Sequence, residues 1–228
     1  MLASQDLPTP LRTTARAWRD AWGEPRLRVE IVLTSGAMVG VLAVLARFLT
    51  WVERRPGVIL PDPVLAALPP RDVTWITFAL IYAGIVTAVV LLLPHPRRLM
   101  LGLQAYVMMV LFRMGVMAVT PLEAPPGILV LRDPLVQALG TGDALTKDLF
   151  FSGHTSTMFL LALMAPGRAS RAFFLACTGV VATCVLWQHV HYTVDVLVAP
   201  LFAFGAYTVA SRLNPGAGTR AGLRARGS

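Results

Sequence analysis

Apolar residues in this chain gather into runs of membrane length, divided by short polar segments rich in Pro, Gly and Arg. A helix needs about 20 apolar residues to cross about 30 Å of hydrocarbon. Three runs reach that length: Glu30 to Trp51, Val73 to Leu93 and Leu99 to Val119. Three more are shorter: Phe151 to Ala165, Ala172 to Trp187 and Val194 to Val209. The shorter three are expected to extend into their flanks. The pattern predicts an all-α fold, a polytopic integral membrane protein with six transmembrane helices. The short links Pro166 to Arg171 and Gln188 to Thr193 predict antiparallel neighbours. Ahead of the first run, Leu11, Ala15, Trp18 and Trp22 share one helical face, and Arg12, Arg16 and Arg19 lie elsewhere around it. That spacing fits either a helix on the membrane surface or a basic unstructured tail. The stretch from Asn214 onward, rich in Gly and Arg, reads as disordered. The chain therefore divides into an N-terminal segment 1–29, a six-helix membrane domain 30–210 and a tail 211–228. No secretory signal peptide is expected, because the first run begins well inside the chain and is long enough to stay as an anchor.

Composition agrees with this division. Of 228 residues, 56% are apolar and only 14% charged, with a mean hydropathy of +0.65; a soluble domain carries about 25% charged residues. The two cysteines, Cys177 and Cys184, share one apolar run, and on one helix they would sit roughly 10 Å apart, too far for a disulfide. The net charge of +8 would suit a nucleic-acid surface, but its distribution points elsewhere. Thirteen basic residues fall on one side of a six-span arrangement, among them Arg12, Arg97, Arg98, Arg168 and Arg171. Five fall on the other: Arg54, Arg55, Arg71, Arg132 and Lys147. The excess puts both termini in the cytoplasm, and no nucleic-acid partner is expected. One lysine against nineteen arginines points to a GC-rich bacterial coding sequence, hence a bacterial inner membrane.

Candidate chemistry collects at the opposite face. His95, between two prolines on the cytoplasmic side, reads as an ordinary interfacial residue. His154 begins the fourth span, His189 and His191 end the link between the fifth and sixth, and Asp195 follows His191 by one helical turn. A carboxylate at membrane depth needs a partner, and the i,i+4 spacing offers His191. Arg113 sits near the outer end of the third span, and Arg47 reads as snorkelling to the outer interface. Thus His154, His191, Asp195 and Arg113 come from three spans, yet the charge distribution assigns all four to one face. Two histidines, a carboxylate and an arginine suit phosphoryl transfer. One histidine, oriented by the carboxylate, attacks phosphorus, and the other moves protons. The arginine fork holds the phosphoryl oxygens. Two other readings stand beside this one: a metal site from His189, His191, Asp195 and Asp148, and polar residues that only hold helices together.

Ser-Gly-His-Thr at 152–155 and His-Tyr-Thr-Val-Asp at 191–195 resemble the two signature blocks of the sphingomyelin synthases, a branch of the type-2 phosphatidate phosphatase superfamily. The resemblance extends to Glu53-Arg54 and Leu60-Pro61-Asp62 in the first outer loop, to Arg97-Arg98 through Arg113, and to Val119-Thr120-Pro121-Leu122. It implies six spans and a metal-independent site, with no cofactor, on the periplasmic or exoplasmic face. That site would move a phospho-headgroup from a glycerophospholipid donor to a ceramide or diacylglycerol acceptor in the lipid bilayer. By position, His191 would be the nucleophile, Asp195 its orienting carboxylate and His154 the acid/base. Arg113 would hold the phosphate, and Ser152 and Gly153 would shape its pocket. Asp148, His189 and Tyr192 complete the candidate substrate-binding set. Val185 stands where the phosphatases of the superfamily carry an arginine, which favours the synthase branch. A lipid phosphate phosphatase, with water as acceptor, is the alternative on the same residues. The oligomeric state stays open.

Overall fold

The computed structural model describes residues 9–131 and 145–214, which form eight helices. The chain beyond Asn214, expected to be disordered, and Arg132 lie outside the described residues. A first helix, α1 (Thr9–Gly23), ends at glycine, and Pro25 opens α2 (Pro25–Glu53) in the position where a missing N–H costs nothing. The segment ahead of the first span is thus helical rather than an unstructured tail from Thr9 onward. A short α3 (Pro63–Ala67) follows in the first loop, capped by Asp62. Then come α4 (Thr74–Leu92), α5 (Pro96–Val119), α6 (Gly153–Met164), α7 (Arg168–Trp187) and α8 (Thr193–Leu213).

Five of these, α2, α4, α5, α7 and α8, are long and apolar enough to cross a membrane. The first, fifth and sixth predicted spans extend beyond their apolar runs, as α2, α7 and α8. The fourth does not. It is the 12-residue α6, about 18 Å long, so length and composition support five of the six expected spans and do not by themselves establish the sixth. Local chemistry sets its length. The Ser152 hydroxyl caps its start by accepting the Thr155 N–H at 3.3 Å, and Pro166 ends it by disfavouring a helical Ala165. A helix this short is tolerated because protein, not lipid, surrounds it: α4, α5, α7 and α8 all pack on it. Ser156, Met158 and Ala162 on its faces are almost completely buried.

Small residues let the helices approach closely. Ala199, Ala203, Ala206 and Ala210 recur at one-turn spacing along α8, and none is more than 1% exposed. This stripe faces Leu101, Ala105, Met109 and Leu160. A second cluster joins α4, α6 and α7 through Ile81, Met158, Phe174 and Val181. In contrast, α2 leans on α5 and α1 and keeps Val32, Leu33, Val39 and Val44 exposed. At one end of the bundle, α1 docks through Ala21 on Leu27, Ile31 and Met100, with Trp18 alongside. The Trp18 Nε1–H also donates to Leu93 O at 2.8 Å, tying α1 to the α4–α5 link.

Loops close the other end. Val58 pairs with the segment at Leu122 in an isolated parallel bridge, donating to Pro121 O and accepting from Glu123 N, each at 3.0 Å. Gly57 must be glycine here, because a Cβ would collide with the Leu122 carbonyl group. Arg55 donates to Ala118 O at 2.7 Å and Met117 O at 2.6 Å, capping the last carbonyls of α5.

Candidate active site

The site is built around two helix starts, those of α6 and α8, lying side by side at the loop-covered end. The Ser152 N–H donates to Asp195 O at 3.2 Å, so the two starts are linked through the backbone.

His191 lies just before α8 and Asp195 in its first turn. One carboxylate oxygen, Oδ2, accepts from the Tyr192 N–H at 3.1 Å and faces His191 Nδ1 at 3.3 Å. The first bond is the reach-back of a third-position acid to the N-cap amide. The second fixes the tautomer: with the proton on Nδ1 held by the carboxylate, Nε2 keeps its lone pair. His191 and Asp195 are both buried, at 2% and 0% exposure, so this pair works in a medium of low dielectric.

His154 is the second residue of α6. Its ring stands 6.0 Å from that of His191, centroid to centroid, with the planes 62° apart. Phe78 of α4 meets His154 edge-on at 6.1 Å. Arg113 reaches across from α5. Its guanidinium lies directly against Gly153, where any Cβ would overlap Nη1. Glycine at 153 is therefore a requirement of Arg113, not of the helix. Arg113 Nη2 pairs with Asp148 Oδ1 at 2.7 Å, both side chains being largely buried. The start of α6 adds backbone N–H groups and the positive end of a helix dipole beside that guanidinium, a combination that favours an anion.

The structure thus brings together His154, His191, Asp195, Arg113, Gly153 and Asp148. It gives three other expected substrate-binding residues different partners. Ser152 is fully buried, and its hydroxyl is the cap of α6. Tyr192 is 1% exposed; its hydroxyl accepts from the Leu60 N–H at 3.2 Å and donates to Glu123 O at 3.0 Å. His189 has both ring nitrogens on backbone carbonyls, Nδ1 at 2.9 Å from Pro126 O and Nε2 at 3.0 Å from Leu68 O. His189 also ends α7 in a left-handed conformation, φ 56°. The Val190 N–H returns to Val185 O at 3.1 Å and the His189 N–H to Leu186 O at 3.0 Å, the helix ending that usually takes glycine. Its ring bonds hold it there. The ligand set of His189 with His191, Asp195 and Asp148 is accordingly not assembled: His189 faces two loops and Asp148 faces Arg113. Arg47 is exposed on α2 and joins none of these groups.

Sequence reasoning missed the struts. Asp62 closes two helix starts at once. Its Oδ1 accepts from Val64 N at 3.0 Å and Leu65 N at 3.1 Å in α3, and from Thr193 Oγ1 at 2.9 Å; its Oδ2 accepts from Thr193 N at 2.6 Å, the first residue of α8. Burial raises the Asp62 carboxyl, but the hydrogen bonds from Thr193, Leu65 and Val64 outweigh it and hold it below its ordinary value. Asp before Pro63 is a cap signal, so α3 was findable; the bond to Thr193, 131 residues away, was not. Glu53, ending α2, accepts from Thr146 N at 3.0 Å, Thr146 Oγ1 at 2.6 Å and Lys147 N at 3.0 Å. Lys147 pairs with Glu123 at 2.7 Å and donates to Arg55 O at 2.9 Å. Together these fix the segment that presents Asp148 to Arg113.

Comparison with known families matches residues 147–212 to the family described as PAP2 superfamily C-terminal. The match covers 66 of 228 residues. It takes in Asp148, Ser152, Gly153, His154, His191 and Asp195, and leaves out Arg113 and Asp62. It supports a relationship to the type-2 phosphatidate phosphatase superfamily, and with it phosphatase- or phosphotransferase-type chemistry on phosphate esters of lipids. No curated protein matches the chain.

Proposed function

We propose that this protein is a membrane phosphotransferase that moves a phospho-headgroup from a glycerophospholipid to ceramide or a related lipid alcohol through a phosphohistidine, in the manner of the sphingomyelin synthases. The observation that carries the reading is the meeting of His154, the His191–Asp195 pair and Arg113 at the start of α6. In the first half-reaction His191 Nε2 attacks phosphorus and a P–N bond forms. The P–O bond to diacylglycerol breaks, and the leaving oxygen takes its proton from His154. Asp195 stabilises the charge that develops on the His191 imidazole. In the second half-reaction the acceptor hydroxyl gives its proton to His154 and attacks phosphorus, and the P–N bond breaks. Arg113 holds the non-bridging oxygens throughout, and Asp148 holds Arg113 between turnovers. Transfer rather than hydrolysis requires water to be excluded while the phosphohistidine exists. The loops stapled over the His189–Thr193 turn suit that task.

Residues 30–210 are the catalytic membrane domain in this reading, flanked by cytoplasmic segments 1–29 and 211–228. The site faces the periplasm or exoplasm of a bacterial inner membrane; the arginine distribution supports that orientation. Hydrolysis on the same residues, with water as acceptor, is the second reading, because the family match covers residues that serve both reactions. An assay in detergent micelles separates the two. Labelled phospholipids are offered with and without ceramide, and products are read by mass spectrometry. A ceramide-linked headgroup establishes transfer; free phosphate or phospho-headgroup regardless of ceramide moves the protein to the hydrolases.

A further inference from the structure

Faces of α4, α5 and α6 descend from the candidate site and, with Met38 of α2, line one apolar cavity of about 260 Å³. On α6 the face runs His154, Thr157, Leu161, Met164, at steps of three and four residues. On α5 it runs Arg113, Tyr106, Gly102, and on α4 Phe78, Ile85, Val89. The first residue of each face belongs to the site, and the remaining ones line the cavity. Thr157 and Tyr106 bring the only hydroxyls to a lining otherwise made of hydrocarbon and thioether. From Thr157 to Met164 the cavity follows α6 for roughly 10 Å. One turn above the far end, which Leu92 and Leu99 close, Gly102 faces Met164: a Cβ there would stand 3.3 Å from Met164 Cε.

We propose that this cavity seats an acyl chain of the lipid-alcohol half of the substrate, and that Gly102 and Met164, one turn above the Leu92 and Leu99 that close it, limit the chain length accepted. The inference rests on the transfer reading above and adds the place and limit of the lipid tail. In-line displacement puts the leaving oxygen on the side of phosphorus away from His191, the side of His154. A chain attached to that oxygen therefore starts where the α6 face starts. A headgroup would find no polar partners below Thr157, whereas a hydrocarbon chain loses nothing there.

A phospholipid carrying a diazirine near the end of one acyl chain, photolysed with the full-length protein in nanodiscs, tests the placement. Label on peptides containing Gly102 or Met164 is expected. Label confined to the outward faces of α2 and α8, around Val39 and Leu201, overturns the proposal. This readout needs no turnover: label on those peptides in a protein that turns over no phospholipid would sink the transfer reading and uphold the cavity. The length limit is tested with Gly102→Leu in a chain-length series. The substitution should lower kcat/KM for long-chain donors by roughly tenfold or more and leave a short-chain donor at the wild-type rate. Equal loss at every length overturns the role of Gly102.

Discussion

The two ends of the helix bundle are held by different forces. At the end where α1 docks, Ala21, Leu27, Ile31 and Met100 pack as hydrocarbon, helped by a Trp18 hydrogen bond and an exposed Arg97–Glu24 pair. At the site end the contacts that matter are polar and long-range. Asp62 holds Thr193, Tyr192 bridges Leu60 and Glu123, His189 bridges Leu68 and Pro126, and Glu53 holds Thr146 and Lys147. Apolar packing is non-directional and tolerates sliding; hydrogen bonds fix angle and register. A site assembled from three helices and four loop segments needs the second kind. An anchoring helix does not. Substitutions at the site end should therefore change turnover, and those at the α1 end should change stability alone.

The largest effect belongs to the nucleophile. His191→Ala should abolish turnover while the protein still folds and inserts, and Asp195→Asn should cost on the order of 10⁴-fold in kcat by releasing the tautomer. Both are read in the micelle assay against circular dichroism; residual wild-type-like activity in His191→Ala would refute the phosphohistidine. Next comes Gly153→Ala, a single methyl that never touches the reacting atoms. It must displace the Arg113 guanidinium, so a loss of about 10²-fold is expected. Arg113→Lys should lose a comparable amount, since a point charge does not replace the fork. If Gly153→Ala is innocuous while Arg113→Lys is not, Arg113 acts from somewhere other than its observed seat.

The contrast between the ends also explains what could be read from the sequence. Hydrophobic run length found five spanning helices, because that signal is local. It did not fix the length of the fourth run, which was expected to extend into its flanks: α6 stays at 12 residues, packed by four helices, and its apolar residues report contact with helices, not with lipid. One-turn spacing joined His191 to Asp195, since helical periodicity is visible in one dimension, and the distribution of basic residues, by assigning all four to one membrane face, grouped both with His154 and Arg113. His189 and Tyr192 stand beside the same motif and were grouped with it. Their ring and hydroxyl face backbone groups 63 to 132 residues away, and no local pattern announces such partners.

Asp62 sharpens the comparison through pH. Its carboxyl lies below its ordinary value because hydrogen bonds from α3 and α8 favour the charged form. The sign follows: these bonds stabilise the fold above that ordinary value and are lost as pH falls through the lower, folded value. Acid unfolding of the wild type should therefore include a step that Asp62→Asn lacks, followed by hydrogen exchange at Thr193 and Leu65. Asp62→Ala should cost about 1–2 kcal/mol at neutral pH as a lost helix cap, with a fall in kcat, since Thr193 lies two residues from both His191 and Asp195. An unchanged kcat would make Asp62 a cap and nothing more.

The smallest effect is expected at the other end, from Trp18→Phe. The substitution keeps an aromatic ring against the Ala21–Met100 cluster and removes only the Nε1–H donated to Leu93 O. That carbonyl belongs to the residue that ends α4, and the bond is solvent-exposed, so water can replace the lost donor. About 0.5–1 kcal/mol of stability should be lost, read as a small shift in thermal midpoint in detergent, with kcat and KM at wild-type values. A fall in kcat here would show that the ends are not independent. The path would be α5, which runs from the α1 dock at Met100 to the guanidinium of Arg113, and a helix carrying its register over that length would then make α1 a positioning element for the phosphate site.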